Sequence, residues 1–123
     1  MKMRRVYCAG PYDGDGVIKV LSNIRQGLNT TRDLLVSHNF ATFVPWFDWL
    51  WGLLGDMPKE LYQQQSLAWL DGSEAVFVLP GWESSGGTRR EIARASEIGI
   101  PVFFELEKLL EWREKIDAEE VEA

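Results

Sequence analysis

The sequence predicts an α/β domain of the three-layer, flavodoxin-like (Rossmann-like) kind, with a mostly parallel sheet of four to five strands. Two patterns predict it. Apolar runs of four to six residues alternate with longer amphipathic segments, and the run Ala75 to Leu79 passes through a Gly/Ser-rich loop into a helical stretch. The chain's size agrees, because 123 residues, 46% of them hydrophobic, fill one core without disulfide or metal staples. Residues 1–123 are therefore read as a single domain.

The first strand is Arg4 to Ala9, stopped by Gly10-Pro11 and a loop of turn formers, Tyr12-Asp13-Gly14-Asp15-Gly16. The following helix carries Val17, Val20, Leu21, Ile24, Leu28 and Leu35 at three- and four-residue steps, an apolar stripe for packing on the sheet. His38 near its end suits the helix dipole as a surface residue. Ala41 to Val44 forms the second strand, and Pro45 ends it. Three tryptophans then fall within the six residues Trp46 to Trp51. They fit a helical turn or lid packed on the core or on a second subunit, and equally an aromatic wall for a flat ligand.

Asp56 is placed to cap a helix with Pro58 in its first turn, running to about Leu70 with Gly72 near its stop. Ala75 to Leu79 is apolar throughout, as a central parallel strand should be. A helix from about Thr88 to Ile98 closes on Gly99, Ile100 to Phe104 is the fourth strand, and a last helix runs from Leu106 to about Ile116. The acidic stretch from about Asp117 onward reads as a frayed tail.

Composition narrows the function. A net charge of -6 argues against a nucleic-acid polymer as partner, since phosphate backbones are held by clustered Lys and Arg. A free nucleotide needs only two or three local donors. One cysteine, Cys8, and one histidine cannot build a disulfide framework or a Cys/His metal cluster, and Cys8 sits in an apolar run typical of a buried strand residue. Asp13-Gly-Asp15-Gly lacks the other ligands of a calcium loop. No cofactor and no metal is expected. No apolar run reaches a membrane span, so no membrane partner is expected and a cytoplasmic location is the default.

The chemistry converges on Leu79-Pro-Gly-Trp-Glu-Ser-Ser-Gly-Gly-Thr-Arg-Arg-Glu91. In open α/β sheets the ligand crevice lies beyond the carboxyl ends of the strands, beside helix N-termini with unpaired N–H groups. Gly86 and Gly87 remove side chains where a ligand would approach the backbone, and Ser84 and Ser85 add hydroxyls at the same rim. Glu91 has two readings. Thr88-Arg-Arg-Glu91 matches a capping box, which needs no catalysis. Alternatively Glu91 faces a ligand, kept ionised by the helix dipole and oriented by the Tyr7 hydroxyl if the first and third strands are neighbours.

Val6-Tyr7-Cys8-Ala9-Gly10-Pro11, the stretch Trp69 to Pro80 and the stretch Gly81 to Ala95 together resemble the nucleoside 2-deoxyribosyltransferase superfamily. That superfamily includes the 2′-deoxynucleoside 5′-phosphate N-hydrolases and small uncharacterised relatives. The resemblance implies a nucleoside or nucleotide ligand whose N-glycosidic bond is cleaved or exchanged, by hydrolysis or deoxyribosyl transfer. It implies that Glu91 attacks the anomeric carbon and that Tyr7 holds Glu91. It also places Ser85 at a 5′-phosphate and the Trp46 to Trp51 segment, with Asp48, around the base. Gly10 and Asp13 fall in the first ligand loop, and a homodimer or higher homo-oligomer is implied.

Two departures are visible. Ser66 stands where active members carry an aspartate near sugar and base, and a hydroxyl cannot act as a carboxylic acid at neutral pH. Asp48 or Asp13 is then the replacement acid, or the protein is a non-catalytic nucleotide-binding module. Asp13 stands where the monophosphate hydrolases tend to have an arginine, and its charge opposes a phosphate unless Arg89 or Arg90 offsets it.

Overall fold

The computed structural model describes residues 2–122. It has a three-layer α/β architecture around a four-stranded, all-parallel sheet. The strands are β1 (Arg5–Ala9), β2 (Ala41–Phe43), β3 (Ala75–Val78) and β4 (Val102–Phe103), in the order β2-β1-β3-β4. The helices are α1 (Val17–His38), α2 (Lys59–Asp71), α3 (Gly86–Ile98) and α4 (Leu106–Glu122). Two 3₁₀ segments, Pro45–Leu53 and Trp82–Ser84, lie in the loops after β2 and β3.

Alternation along β1 and β3 sorts the core into two layers. Val6, Cys8, Ala75, Phe77 and Leu79 face α1 and α4, where they meet Ile24, Leu34 and Leu109. Tyr7, Ala9, Val76 and Val78 face the other way, toward Leu70 of α2 and Ala95 of α3. Register sets Tyr7 opposite both Phe43 and Val76, so its ring lies in the middle of the sheet. Burial pushes the Cys8 thiol up, as suits a packing residue.

Several local expectations change. The buried face of α1 is Asn23, Ile24, Gly27, Thr31 and Leu34, turned about one residue from the expected stripe, leaving Val17, Leu21 and Leu35 exposed. The reason is Trp46, whose ring lies against Gly27 where a Cβ would collide with it. A helix that must admit an indole turns a small residue to it, and Ile24 and Leu34 pack to either side.

Asp56 caps nothing, for Pro58 itself is the N-cap of α2 and makes no side-chain cap bond. The capping box is also corrected. α3 starts two residues earlier than expected, with Ser85 as N-cap accepting from the Thr88 N–H at 3.2 Å, which frees Glu91 from any capping role. Its C-terminus closes on Gly99 at φ 80°, as expected.

The acidic stretch is no frayed tail. It completes α4, because Arg4, only 2% exposed, donates to Asp117 at 2.6 Å and to Glu120 and Glu74 nearby. A buried guanidinium needs several acceptors, and the acidic residues supply them.

Candidate active site

The loops after β1, β2 and β3 feed into one cavity of about 570 Å³ at the carboxyl edge of the sheet. That volume lies in the range of small-molecule sites. Gly10 to Asp13 enter after β1, Pro45, Trp46 and Asp48 after β2, and Ser84 to Thr88 with Arg90 and Glu91 after β3. The β1 loop is held by Asn23, whose amide donates to the Tyr12 and Asp13 carbonyls at 3.2 and 3.1 Å.

Tyr7 and Glu91 meet beneath this cavity. The Tyr7 hydroxyl donates to Glu91 Oε2, although the two are 84 positions apart. Tyr7 is fully buried, and its ring stacks on Phe43, which stacks in turn on Trp69, at centroid distances of 5.2 and 5.4 Å. Ser66 lies on the cavity wall near this pair and partly offsets the rise in the Tyr7 phenol. Burial and the neighbouring Glu91 charge push the phenol well above its ordinary range, so it stays a donor.

Glu91 departs from expectation in its electrostatics. Burial raises its carboxyl to about 7, outweighing the Tyr7 hydrogen bond and the Arg90 charge, both of which favour ionisation. The helix dipole therefore does not keep Glu91 simply ionised, because desolvation is the stronger effect here. A carboxyl poised near neutrality exists in both forms at cellular pH, a property common at reactive sites and less so in structural ion pairs.

Gly10, Asp13, Trp46, Asp48, Ser66, Ser85, Gly86, Gly87 and Glu91 all line the cavity, with Tyr7 immediately behind Glu91. The Trp46 to Trp51 segment is less uniform than an aromatic wall. Trp46 is 2% exposed, donates its indole N–H to the Pro11 carbonyl at 3.0 Å, and lies close to Gly10 and Gly27. Trp49 and Trp51 are exposed and do not line this cavity. Trp51 instead borders a second groove of about 440 Å³ with Phe47, Leu50, Leu53 and Leu54. Ser85 has a structural task as well as a wall position, since its hydroxyl accepts from both the N–H and the hydroxyl of Thr88.

One wall is legible in the sequence at a single residue. Lys59, Tyr62, Gln63, Ser66 and Leu67 of α2 face the cavity, and of these only Ser66 is an expected site residue. Their spacing is a helical stripe, but a mostly polar one, so a search for apolar periodicity passes over it. Lys59 and Arg90 bring two cations to a cavity that is also lined by Asp13 and Asp48. Among the described residues, no cluster of three His, Cys, Asp or Glu is arranged to hold a metal, and no helix is long and apolar enough to cross a membrane.

A family model described as a domain of unknown function, DUF4406, matches residues 4–104. The chain belongs to the DUF4406 family. The matched stretch spans all four strands and every cavity-lining residue, and ends just before α4. A comparison with curated proteins finds no match.

Proposed function

We propose that this DUF4406 protein cleaves or exchanges the N-glycosidic bond of a nucleoside or nucleotide, with Glu91 as the nucleophile. The observation that carries the reading is the Tyr7–Glu91 pair under a cavity of nucleoside size, at the first turns of α3. A fixed carboxylate beside an anomeric carbon stabilises oxocarbenium-like charge and can form a glycosyl ester, as in retaining glycosidases. The resemblance of Val6 to Pro11 and of Gly81 to Ala95 to the deoxyribosyltransferase superfamily supports the same roles. In this reading Tyr7 orients Glu91, the Ser85 to Gly87 turn holds the sugar or phosphate end, and Trp46 and Asp48 border the base. Lys59 and Arg90 line the same cavity as Asp13, which keeps a monophosphate among the substrates to be tried.

The deciding experiment is chromatography of free bases after incubating wild type and Glu91→Ala with nucleosides, nucleoside monophosphates and NAD. Wild type releases a base and Glu91→Ala does not, while circular dichroism stays native. Undiminished release by the variant removes Glu91 from the mechanism.

Ser66 favours a second reading, a binding module without turnover, because it puts a hydroxyl on the cavity wall where active members of the superfamily that the sequence resembles carry a carboxylate. Calorimetric binding of a nucleotide without base release over many hours selects this alternative.

A further inference from the structure

Departure of a base from an anomeric carbon is helped by a proton delivered to one of its ring nitrogens. Three carboxylates line the cavity among the described residues: Asp13, Asp48 and Glu91. Glu91 is occupied with the anomeric carbon in the reading above, and Asp13 is exposed. Asp48 is half-buried in the 3₁₀ segment after β2, on the loop that borders the base. In a 3₁₀ helix residues three apart lie over one another, so Trp51 and Asp48 share a face and border the second groove together. Asp48 lines the same cavity as Glu91 and Tyr12, and its charge is a minor influence that raises the hydroxyls of Tyr7 and Tyr12.

We propose that Asp48 is the acid that protonates the departing base, supplying from the β2 loop the proton that Ser66 cannot supply from α2. The proposal rests on the glycosidic-bond reading of the same cavity. Burial raises the Asp48 carboxyl from its ordinary value, partly countered by Trp51, so it holds its proton more readily than a surface aspartate. In the first half-reaction a Glu91 oxygen bonds to the anomeric carbon as the carbon–nitrogen bond breaks. The bond's electron pair stays on the base, which takes the Asp48 proton. In the second, a water oxygen bonds to the same carbon, the ester bond to Glu91 breaks, and the water proton returns to Asp48. Nucleoside and water become free base and sugar, and both carboxyl groups end as they began.

Methylation at N7 of a purine separates proton donation from every other role of Asp48, because a 7-methylpurine leaves as a neutral base without a proton. The experiment compares wild type, Asp48→Asn and Asp48→Glu on 2′-deoxyguanosine, 2′-deoxyadenosine, their 5′-monophosphates and the 7-methyl derivative of each, with spontaneous loss subtracted. Folding of each variant is checked by circular dichroism and thermal midpoint. Asp48→Asn is expected to lose about 10²-fold or more in kcat on the unmethylated purines, the usual contribution of a general acid, while retaining turnover of the methylated ones. Asp48→Glu, which keeps the acid, recovers part of the loss. Equal losses on both substrate types overturn the proposal, as does no loss on either. A wild type that releases purine only from methylated substrates overturns it too, while leaving the glycosidic-bond reading standing. Absence of any purine release from wild type also overturns it, and the wider nucleoside panel with Glu91→Ala then decides separately whether that reading survives.

Discussion

The hydroxyl of Tyr7 donates to the carboxylate of Glu91, joining the centre of the sheet to the second turn of α3. The tyrosine ring is held by stacking on Phe43, so the hydroxyl has little freedom to leave. Glu91 is thus buried enough to resist ionisation and oriented enough to act once ionised, with its carboxyl at about 7.

A pH dependence follows if the ionised carboxylate is the nucleophile. kcat/KM for base release is expected to rise with pH through about 7, where Glu91 loses its proton. Tyr7→Phe removes a hydrogen bond that favours the ionised form, so the rise moves to higher pH and the rate at neutral pH falls. Steady-state profiles of the two proteins from pH 5 to about 9 test this. An unchanged midpoint in Tyr7→Phe counts against the pairing.

Stability carries the same signature with opposite sense. The Glu91 carboxyl is raised in the folded chain from its ordinary 4.5 to about 7, so the folded state binds this proton more tightly than the unfolded one. Its contribution is fully present below about pH 4.5 and is lost as pH rises through about 7, on the order of 3 kcal/mol. Glu91→Gln does not titrate. Urea midpoints should therefore show wild type losing stability relative to Glu91→Gln across that window, and levelling off above it. Carboxylates such as Glu120, held below its ordinary value by Arg4, act alike in both proteins and cancel.

Gly27 is expected to be intolerant of even one carbon. Gly27→Ala should destabilise by roughly 1–3 kcal/mol despite alanine's better helix propensity, because its Cβ would collide with the Trp46 ring. Since Trp46 lines the cavity, the variant should also bind nucleosides more weakly. Thermal unfolding and calorimetry measure the two effects. A more stable Gly27→Ala would show that Trp46 does not lie there.

Arg4 ties the far end of the molecule. Arg4→Ala leaves Glu74 and Asp117 without their buried cation and should cost roughly 3 kcal/mol, with faster hydrogen exchange in the last turns of α4. Arg4 precedes β1, and the cavity gathers at the opposite, carboxyl ends of the strands, so base release by the remaining folded protein should be unaffected. A large loss of activity at full folding would contradict that separation.

The alternation of apolar and amphipathic runs was enough to predict the α/β class, the four strands to within a residue or two at each end, and the Gly99 stop of α3. These are local signals, set by backbone geometry and by whether a strand is covered on both faces. The candidate site was also largely legible, since glycines, a carboxylate and a tyrosine at strand ends mark where such folds bind ligands. Boundaries set by competition were not. Ser85 and Thr88 are both good helix caps, and only the position of α3 against the sheet chose Ser85 and released Glu91.

By itself, then, the sequence determined the layers, the parallel sheet and the edge on which a ligand would sit. The Tyr7–Glu91 pairing was expected on the condition that β1 and β3 be neighbours, which the sheet order meets, whereas tertiary structure alone decided that Trp46 faces Gly27 and that Arg4 faces Asp117 and Glu120. It also decided that Glu91 sits near neutrality. Burial is a property of everything packed around a group, and no periodicity along the chain records how much water remains at a carboxylate once several distant segments have closed over it.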